Sequence, residues 1–273
     1  LGIARQHMVA AANPLAAEAG RAVLRAGGGA VDAAIAVQLV LNLVEPQSSG
    51  IGGGAFLLHW NARERKVTTL DGREIAPAAA RPDRFLGPDK RPLGFMAAVV
   101  GGRSVGVPGT VRLLGEAHRR WGKLPWAAGF APAIELAEAG FPVSPRLNAL
   151  LAREEALRRD PVARAYFYDA SGQPWPVGHA LKNPAFAATL RAIAQRGADA
   201  FYAGPIAADI VTTVAGHPVN PGDLSLADLA GYRVVEREPV CGSYRVYSLC
   251  GMGPPSSGGI AVQQMLTLLE RFD

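Results

Sequence analysis

Three short motifs and a scatter of histidines hold the residue types from which chemistry could be built. They are an arginine in "LDGREIAPAAA" (Leu70 to Ala80), a serine in "GRSVG" (Gly102 to Gly106), the glycine run "GIGGGA" (Gly50 to Ala55), and five histidines. The guanidinium of Arg73 is a planar fork suited to bidentate binding of a carboxylate, which a lysine ammonium cannot reproduce. Arg73 follows a strand pattern and a turn and precedes an apolar, proline-containing stretch, a setting that can hold a side chain. Spacing alone still favours a surface ion pair, because most arginines are exposed.

The other motifs are weaker. "GRSVG" has the letters of a nucleophile elbow, in which a sharp strand-to-helix turn presents a serine. The strand-like "FMAAVV" precedes it, but Val107, Pro108 and Gly109 intervene before the next helix and no later Asp and His are marked as partners. Ser104 therefore reads as part of a strand-to-loop turn. "GIGGGA" matches the Ala-ending dinucleotide fingerprint, which needs a strand before it and a helix after it so that phosphate meets the helix N-terminus. Here an apolar helix precedes and a β-patterned run follows, so the glycines should serve close backbone approach, in packing or in the wall of a site. His7, His59, His118, His179 and His217 are isolated, without metal-ligand spacing, so no metal site is expected. Glu154 and Glu155 read as a charged helix face of solvated ion pairs rather than an acid–base pair.

The elements that must position these residues are legible in outline. Asn13-Pro14 predicts a helix start, with Leu15, Ala19, Ala22, Val23 and Ala26 on one face and Gly27-Gly28 past the end. A nearly all-apolar helix follows from Ala30 and is broken by "EPQSSGIGGG"; "AFLLHW" and "KVTTL" then form an antiparallel hairpin. Thr110 is expected to cap "VRLLGEAHRRW", Pro125 to open a helix ending near Gly140, and Ser144-Pro145 to start "RLNALLAREEALRRD". Asn183-Pro184 opens another helix, and further segments run from Pro205 to Ala215 and from Ser225 to Leu229. Two strands, "YRVVEREPVC" and "SYRVYSLC", carry Cys241 and Cys250, either bridged across a hairpin or buried as free thiols. A last helix follows "PPSSGG" from Gly259. No linker interrupts the 273 residues, so one domain is expected.

Hydrophobic residues make up 49% of the chain, enough to fill a core, which argues against disorder. The net charge of +5 is dispersed, which favours acidic small molecules and gives no nucleic-acid signature. The apolar stretch from Ala30 to Val44 contains Asp32, Gln38 and Asn42 and is too short for a membrane span. The start at Leu1, without a charged-then-apolar leader pattern, fits a mature or trimmed polypeptide.

Taken together and in order, "GGGAVDAAIAVQLVLNLVEPQSSGIGGGAFLL", "LDGREIAPAAA", "SVGVPGT", "WGKLPWAAGFAPAIELAEAGFPV" and "GPPSSGGIAVQQML" resemble the large subunit of the γ-glutamyltransferase (γ-glutamyltranspeptidase) family, from about Met8 to the last residue. The resemblance implies an α+β fold of the N-terminal-nucleophile hydrolase type, a four-layer αββα sandwich that is incomplete in this chain. It also implies a precursor that cuts itself into large and small subunits and transfers or hydrolyses γ-glutamyl groups, with glutathione as the usual donor. Water, an amino acid or a peptide would accept the acyl group from a Thr at the new small-subunit N-terminus.

By position, Arg73 corresponds to the family's arginine that binds the donor's α-carboxylate, which replaces the surface-ion-pair reading. Neither Thr68-Thr69 nor Thr212-Thr213 stands in a processing motif, so the nucleophile is expected beyond this chain and the chain alone to be inactive. The resemblance implies a small subunit from the same precursor as partner and a periplasmic or secreted setting, with a cytoplasmic one left open; no cofactor, metal or nucleic acid is expected. "PPSSGG" is assigned to architecture, and uncovered apolar faces are expected on an isolated half-sandwich. Two rivals stand beside this reading: a related acylase taking another side-chain amide such as a glutaryl β-lactam, and a non-catalytic domain that binds acidic ligands or partner proteins.

Overall fold

The computed structural model describes residues 4–272; Leu1 and Asp273 lie outside the described residues. Helix α1 (Pro14–Arg25) starts where the Asn13 side chain accepts the Leu15 N–H at 3.0 Å. Its buried line is Ala16, Ala19, Gly20 and Val23, whereas Ala22 and Ala26, expected there, are exposed. The helix is turned so that Gly20 meets Val37 of α2 (Ala30–Val44). α2 is buried over most of its surface, with Val31, Ile35, Ala36, Leu39, Val40, Leu43 and Val44 at most 5% exposed. A helix apolar on every face must be enclosed by other elements. The one carboxylate drawn in with it, Asp32, is met by the backbone N–H groups of Gly29, Lys123 and Leu124, at 2.7, 3.0 and 3.4 Å.

Strands β1 (Ala55–Asn61) and β2 (Lys66–Gly72) form the expected antiparallel hairpin, with Ala55 opposite Gly72 and Asn61 opposite Lys66. The strand-like "FMAAVV" is instead a short exposed helix, α3 (Phe95–Val99). An apolar run of that length fits either state, and no strand among the described residues pairs with it. α4 (Thr110–Trp121) begins without a threonine cap: the backbone N–H groups of Gly109 and Thr110 both donate to the Gly53 carbonyl, at 2.9 and 3.0 Å. The Arg112 N–H, which a threonine cap would have met, is taken by the Tyr202 hydroxyl at 2.9 Å, so loop and side-chain partners from elsewhere in the fold satisfy this helix start.

The helix expected from Pro125 is split into a 3-10 turn (Trp126–Gly129) and α5 (Ala131–Ala139), which runs into β3 (Phe141–Pro142). "RLNALLAREEALRRD" is split too, into α6 (Pro145–Leu151) and α7 (Glu155–Arg159). Glu154 makes the break by accepting the Ala156 N–H at 3.1 Å, so it caps α7, while Glu155 forms the expected exposed ion pair with Arg159 at 2.8 Å. The chain continues through α8 (Pro161–Phe167), β4 (Ala180–Leu181), α9 (Pro184–Arg196), α10 (Asp199–Tyr202), α11 (Pro205–Ala215) and α12 (Leu226–Gly231). A reciprocal Ser225–Asp228 box starts α12.

"YRVVEREPVC" is two strands. β5 (Val235–Arg237) adds to the edge of β2, giving a sheet in the order β1-β2-β5. Pro239, which has no N–H for a ladder, separates it from β6 (Val240–Tyr244), which pairs with β7 (Tyr247–Gly251). Cys241 lies directly opposite Cys250 and the two are bridged, which decides between the two cysteine readings. α13 (Gly258–Leu269) packs back on β6 and β7. Gly259 permits that approach, since a Cβ there would lie 2.5 Å from the Met252 carbonyl oxygen.

The fold is mixed helix and sheet. α4 covers one face of β1-β2-β5: Leu113 sits against Gly72, Trp121 stacks on His59 at 4.2 Å, and Arg120 reaches Glu236 at 2.5 Å. Behind it α1, α2, α5 and α9 fill the core. The opposite face of the sheet presents Leu58, Trp60 and Val235, 44%, 56% and 45% exposed. Among the described residues no helix is long and apolar enough to cross a membrane.

Candidate functional site

β2 ends at Gly72, and the next residue is Arg73. Its backbone is held from two sides: its N–H donates to Asp71 Oδ1 at 2.9 Å, and its carbonyl accepts the Tyr232 hydroxyl at 2.7 Å. Asp71 is itself buried and receives Arg237 Nε at 2.6 Å. The Arg73 side chain is about half exposed, and its ion pair among the described residues is a loose one, Nε to Glu74 Oε2 at 3.9 Å. So loose an exposed pair contributes little, and an incoming carboxylate can replace it.

Three stretches distant in sequence meet here. Gly53 accepts from Gly109 and Thr110, and Val107 N–H donates to the Ile75 carbonyl at 2.8 Å, so "GIGGGA", "LDGRE" and "SVGVPGT" share one hydrogen-bonded junction. A Cβ on Gly54 would lie 2.6 Å from Glu74 Oε2 and 2.8 Å from the Gly72 carbonyl oxygen. At Gly54 the glycine run thus allows close backbone approach, as expected, against Gly72 and Glu74 on either side of Arg73 in sequence.

Sequence reasoning missed Tyr232. It is 1% exposed, and its ring stacks on Tyr202 at 6.0 Å. Burial first, then the Asp71 and Glu74 carboxylates, push its phenol up to about 12, so it stays protonated and donates to Arg73 at any ordinary pH. Tyr202 in turn donates to the Pro108 carbonyl and accepts the Arg112 N–H, both at 2.9 Å. No local signal marks Tyr232, because its partner is 159 residues away.

The other candidates fall elsewhere. Ser104 lies in a 3-10 turn (Gly102–Ser104), and its hydroxyl donates to the carbonyls of Val99 and Gly101 rather than to a histidine. His59 and His179 stack on Trp121 and Trp175, His118 meets the Leu124 carbonyl at 2.8 Å, and His217 accepts the Asn220 N–H at 3.0 Å. Among the described residues no group of His, Cys, Asp and Glu could hold a metal ion. Thr68-Thr69 lies within β2 and Thr212-Thr213 within α11. The junction offers one accessible guanidinium on a backbone that is held from both sides.

A family model described as gamma-glutamyltranspeptidase matches residues 16–273. The chain belongs to the γ-glutamyltranspeptidase family. It is 39% identical over 272 residues to the glutathione hydrolase proenzyme of Bacillus subtilis strain 168, covering 99% of this chain and 46% of that protein. The crystal structure of Helicobacter pylori γ-glutamyltranspeptidase is similar with a TM-score of 0.93 at 33% identity, over 100% of this chain and 77% of that one. A cephalosporin acylase from Bacillus halodurans is similar with a TM-score of 0.79 at 32% identity, over 96% of this chain and 48% of that one. This γ-glutamyltranspeptidase-family chain spans about half the length of the curated relatives it matches.

Proposed function

We propose that the chain is the large-subunit portion of a γ-glutamyl transferase or glutathione hydrolase, and that Arg73 binds the α-carboxylate of the γ-glutamyl donor. The observation that carries this reading is the Arg73 guanidinium, fixed at its backbone by Asp71 and Tyr232 and only loosely paired with Glu74. A charge-assisted fork of this kind suits a carboxylate. The covalent step falls to a Thr outside this chain, at the N-terminus of a small subunit released from the same precursor. Its hydroxyl adds to the γ-amide carbonyl, its own α-amine takes the proton, the amine product leaves, and a γ-glutamyl ester remains for water, an amino acid or a peptide to attack. The likeness to a protein named a glutathione hydrolase proenzyme supports the processed arrangement.

The second β layer of an αββα sandwich would cover the sheet face that carries Leu58 and Trp60. The Cys241–Cys250 bond suits a periplasmic or secreted setting. The likeness to a cephalosporin acylase keeps a second donor class in view. A glutaryl group retains the carboxylate and lacks only the α-ammonium, so Arg73 serves either donor. The ratio of kcat/KM on γ-glutamyl and glutaryl anilides separates the two.

The test uses the complete gene product. Arg73→Ala should raise KM for γ-glutamyl p-nitroanilide about 10- to 100-fold, the range for hydrogen bonds to charged groups, with a smaller change in kcat. The 4-aminobutyryl anilide, which lacks the α-carboxylate, should be unaffected. An unchanged KM for the γ-glutamyl donor would remove the role given to Arg73.

A further inference from the structure

Arg73 sits one residue beyond the last ladder pair of β2, Gly72 with Ala55, so the sheet itself no longer fixes its peptide unit. The Tyr232 hydroxyl holds its carbonyl at 2.7 Å from across the fold. The phenol is fixed from behind as well, because its ring lies against that of Tyr202, whose own hydroxyl is bonded to the Pro108 carbonyl. Room for it comes from a missing side chain: a Cβ on Gly109 would lie 2.2 Å from Tyr232 Oη. A motif glycine thus admits a tyrosine that steadies a motif arginine.

We infer that Tyr232 is a positioning residue for Arg73, holding the strand end from which the guanidinium grips the donor carboxylate. A long arginine side chain loses rotamer freedom when it binds, and a fixed backbone limits how much must be ordered at that moment. Without the hydroxyl, the Arg73 carbonyl loses its partner and the strand end can move. The inference deepens the donor-binding reading and rests on it.

Tyr232→Phe keeps the stacked ring and removes only the hydroxyl. In the complete gene product it should raise KM for γ-glutamyl p-nitroanilide roughly fivefold, the effect of one neutral hydrogen bond. It should leave kcat within about twofold and spare the 4-aminobutyryl anilide. In an Arg73→Ala background the same change should have no further effect on KM, since the two residues act through one contact. If the Tyr232→Phe protein does not accumulate, Tyr202→Phe, which frees the ring that fixes Tyr232 from behind, is read in the same way. A fall in kcat shared by both anilides, or an effect undiminished in the Arg73→Ala background, would mean an ordinary core tyrosine and overturn the inference. Should Arg73→Ala itself leave KM unchanged, the carboxylate-binding reading fails and this inference with it. If only Tyr232→Phe is silent, this inference alone fails.

Discussion

α2 and α13 are both apolar helices, and the fold treats them in opposite ways. α2 has Ala36, Leu39 and Val40 at 0–1% exposure, enclosed by α1, α4 and α5. α13 has no buried residue, and Ile260, Val262, Met265, Leu268 and Leu269 are 39–60% exposed. An apolar helix surface calls for a covering layer. For α2 that layer lies within this chain; for α13 and the Leu58–Trp60 sheet face, the described residues do not supply it. The same division bears on the proposed function: the covered body carries the Arg73 junction, and the uncovered faces are where the remaining polypeptide of the proposed precursor would pack.

The largest expected effect separates the two helices directly. Leu39→Ala should lower the unfolding free energy by about 2–5 kcal/mol, a large-to-small change in a closed core. Leu268→Ala in the same chain should stay within about 0.5 kcal/mol, as surface changes do. Urea titrations of both variants check this. Equal losses would break the comparison, and a larger loss for Leu268→Ala in the complete gene product would sharpen it.

Next comes the disulfide. Closing a loop of roughly ten residues stabilises by about 2–3 kcal/mol on the chain-entropy estimate. Because Cys241 and Cys250 sit within one hairpin, the effect should be local. Replacing both by serine should speed amide exchange in β6, β7 and α13 at least tenfold and leave α2 unchanged. Equal acceleration in α2 would show that the hairpin unit and the body open together.

The smallest expected effect is acid sensitivity in the body. Hydrogen bonding to Arg119 first, with help from Arg120 and against partial burial, lowers the Glu116 carboxylate from 4.5 to about 2. A carboxylate depressed on folding stabilises above its unfolded value, so this contribution is present above about pH 4.5 and fades as pH falls toward 2. Arg120 also reaches Glu236, which ties α4 to β5. Glu116→Gln should therefore flatten the acid limb of stability by less than about 1 kcal/mol, given the solvent access of these pairs. Exchange in α13 should not follow that limb.

Legibility in the sequence followed how local the deciding interaction was. Asn13, Ser144, Asn183 and Ser225 announced helix starts because the capped N–H lies two or three residues on. Thr110 misled because its helix start is satisfied from far away, by the Gly53 carbonyl and the Tyr202 hydroxyl. "FMAAVV" misled because a short apolar run has no period of its own. Arg73 stood out through its motif and the family resemblance, whereas Tyr232, held by contacts across the fold, left no local trace. The family was readable from the order of five motifs, and the family model bears it out.

The most direct test of the division between recognition and chemistry is intact-mass analysis of the complete gene product after incubation with a slowly deacylating γ-glutamyl donor. Expected are two polypeptides, the second beginning with Thr and carrying the γ-glutamyl increment, with this chain unmodified. A γ-glutamyl adduct on this chain, or turnover by a single uncut polypeptide, would contradict the assignment of binding to Arg73 here and covalent chemistry to a Thr elsewhere.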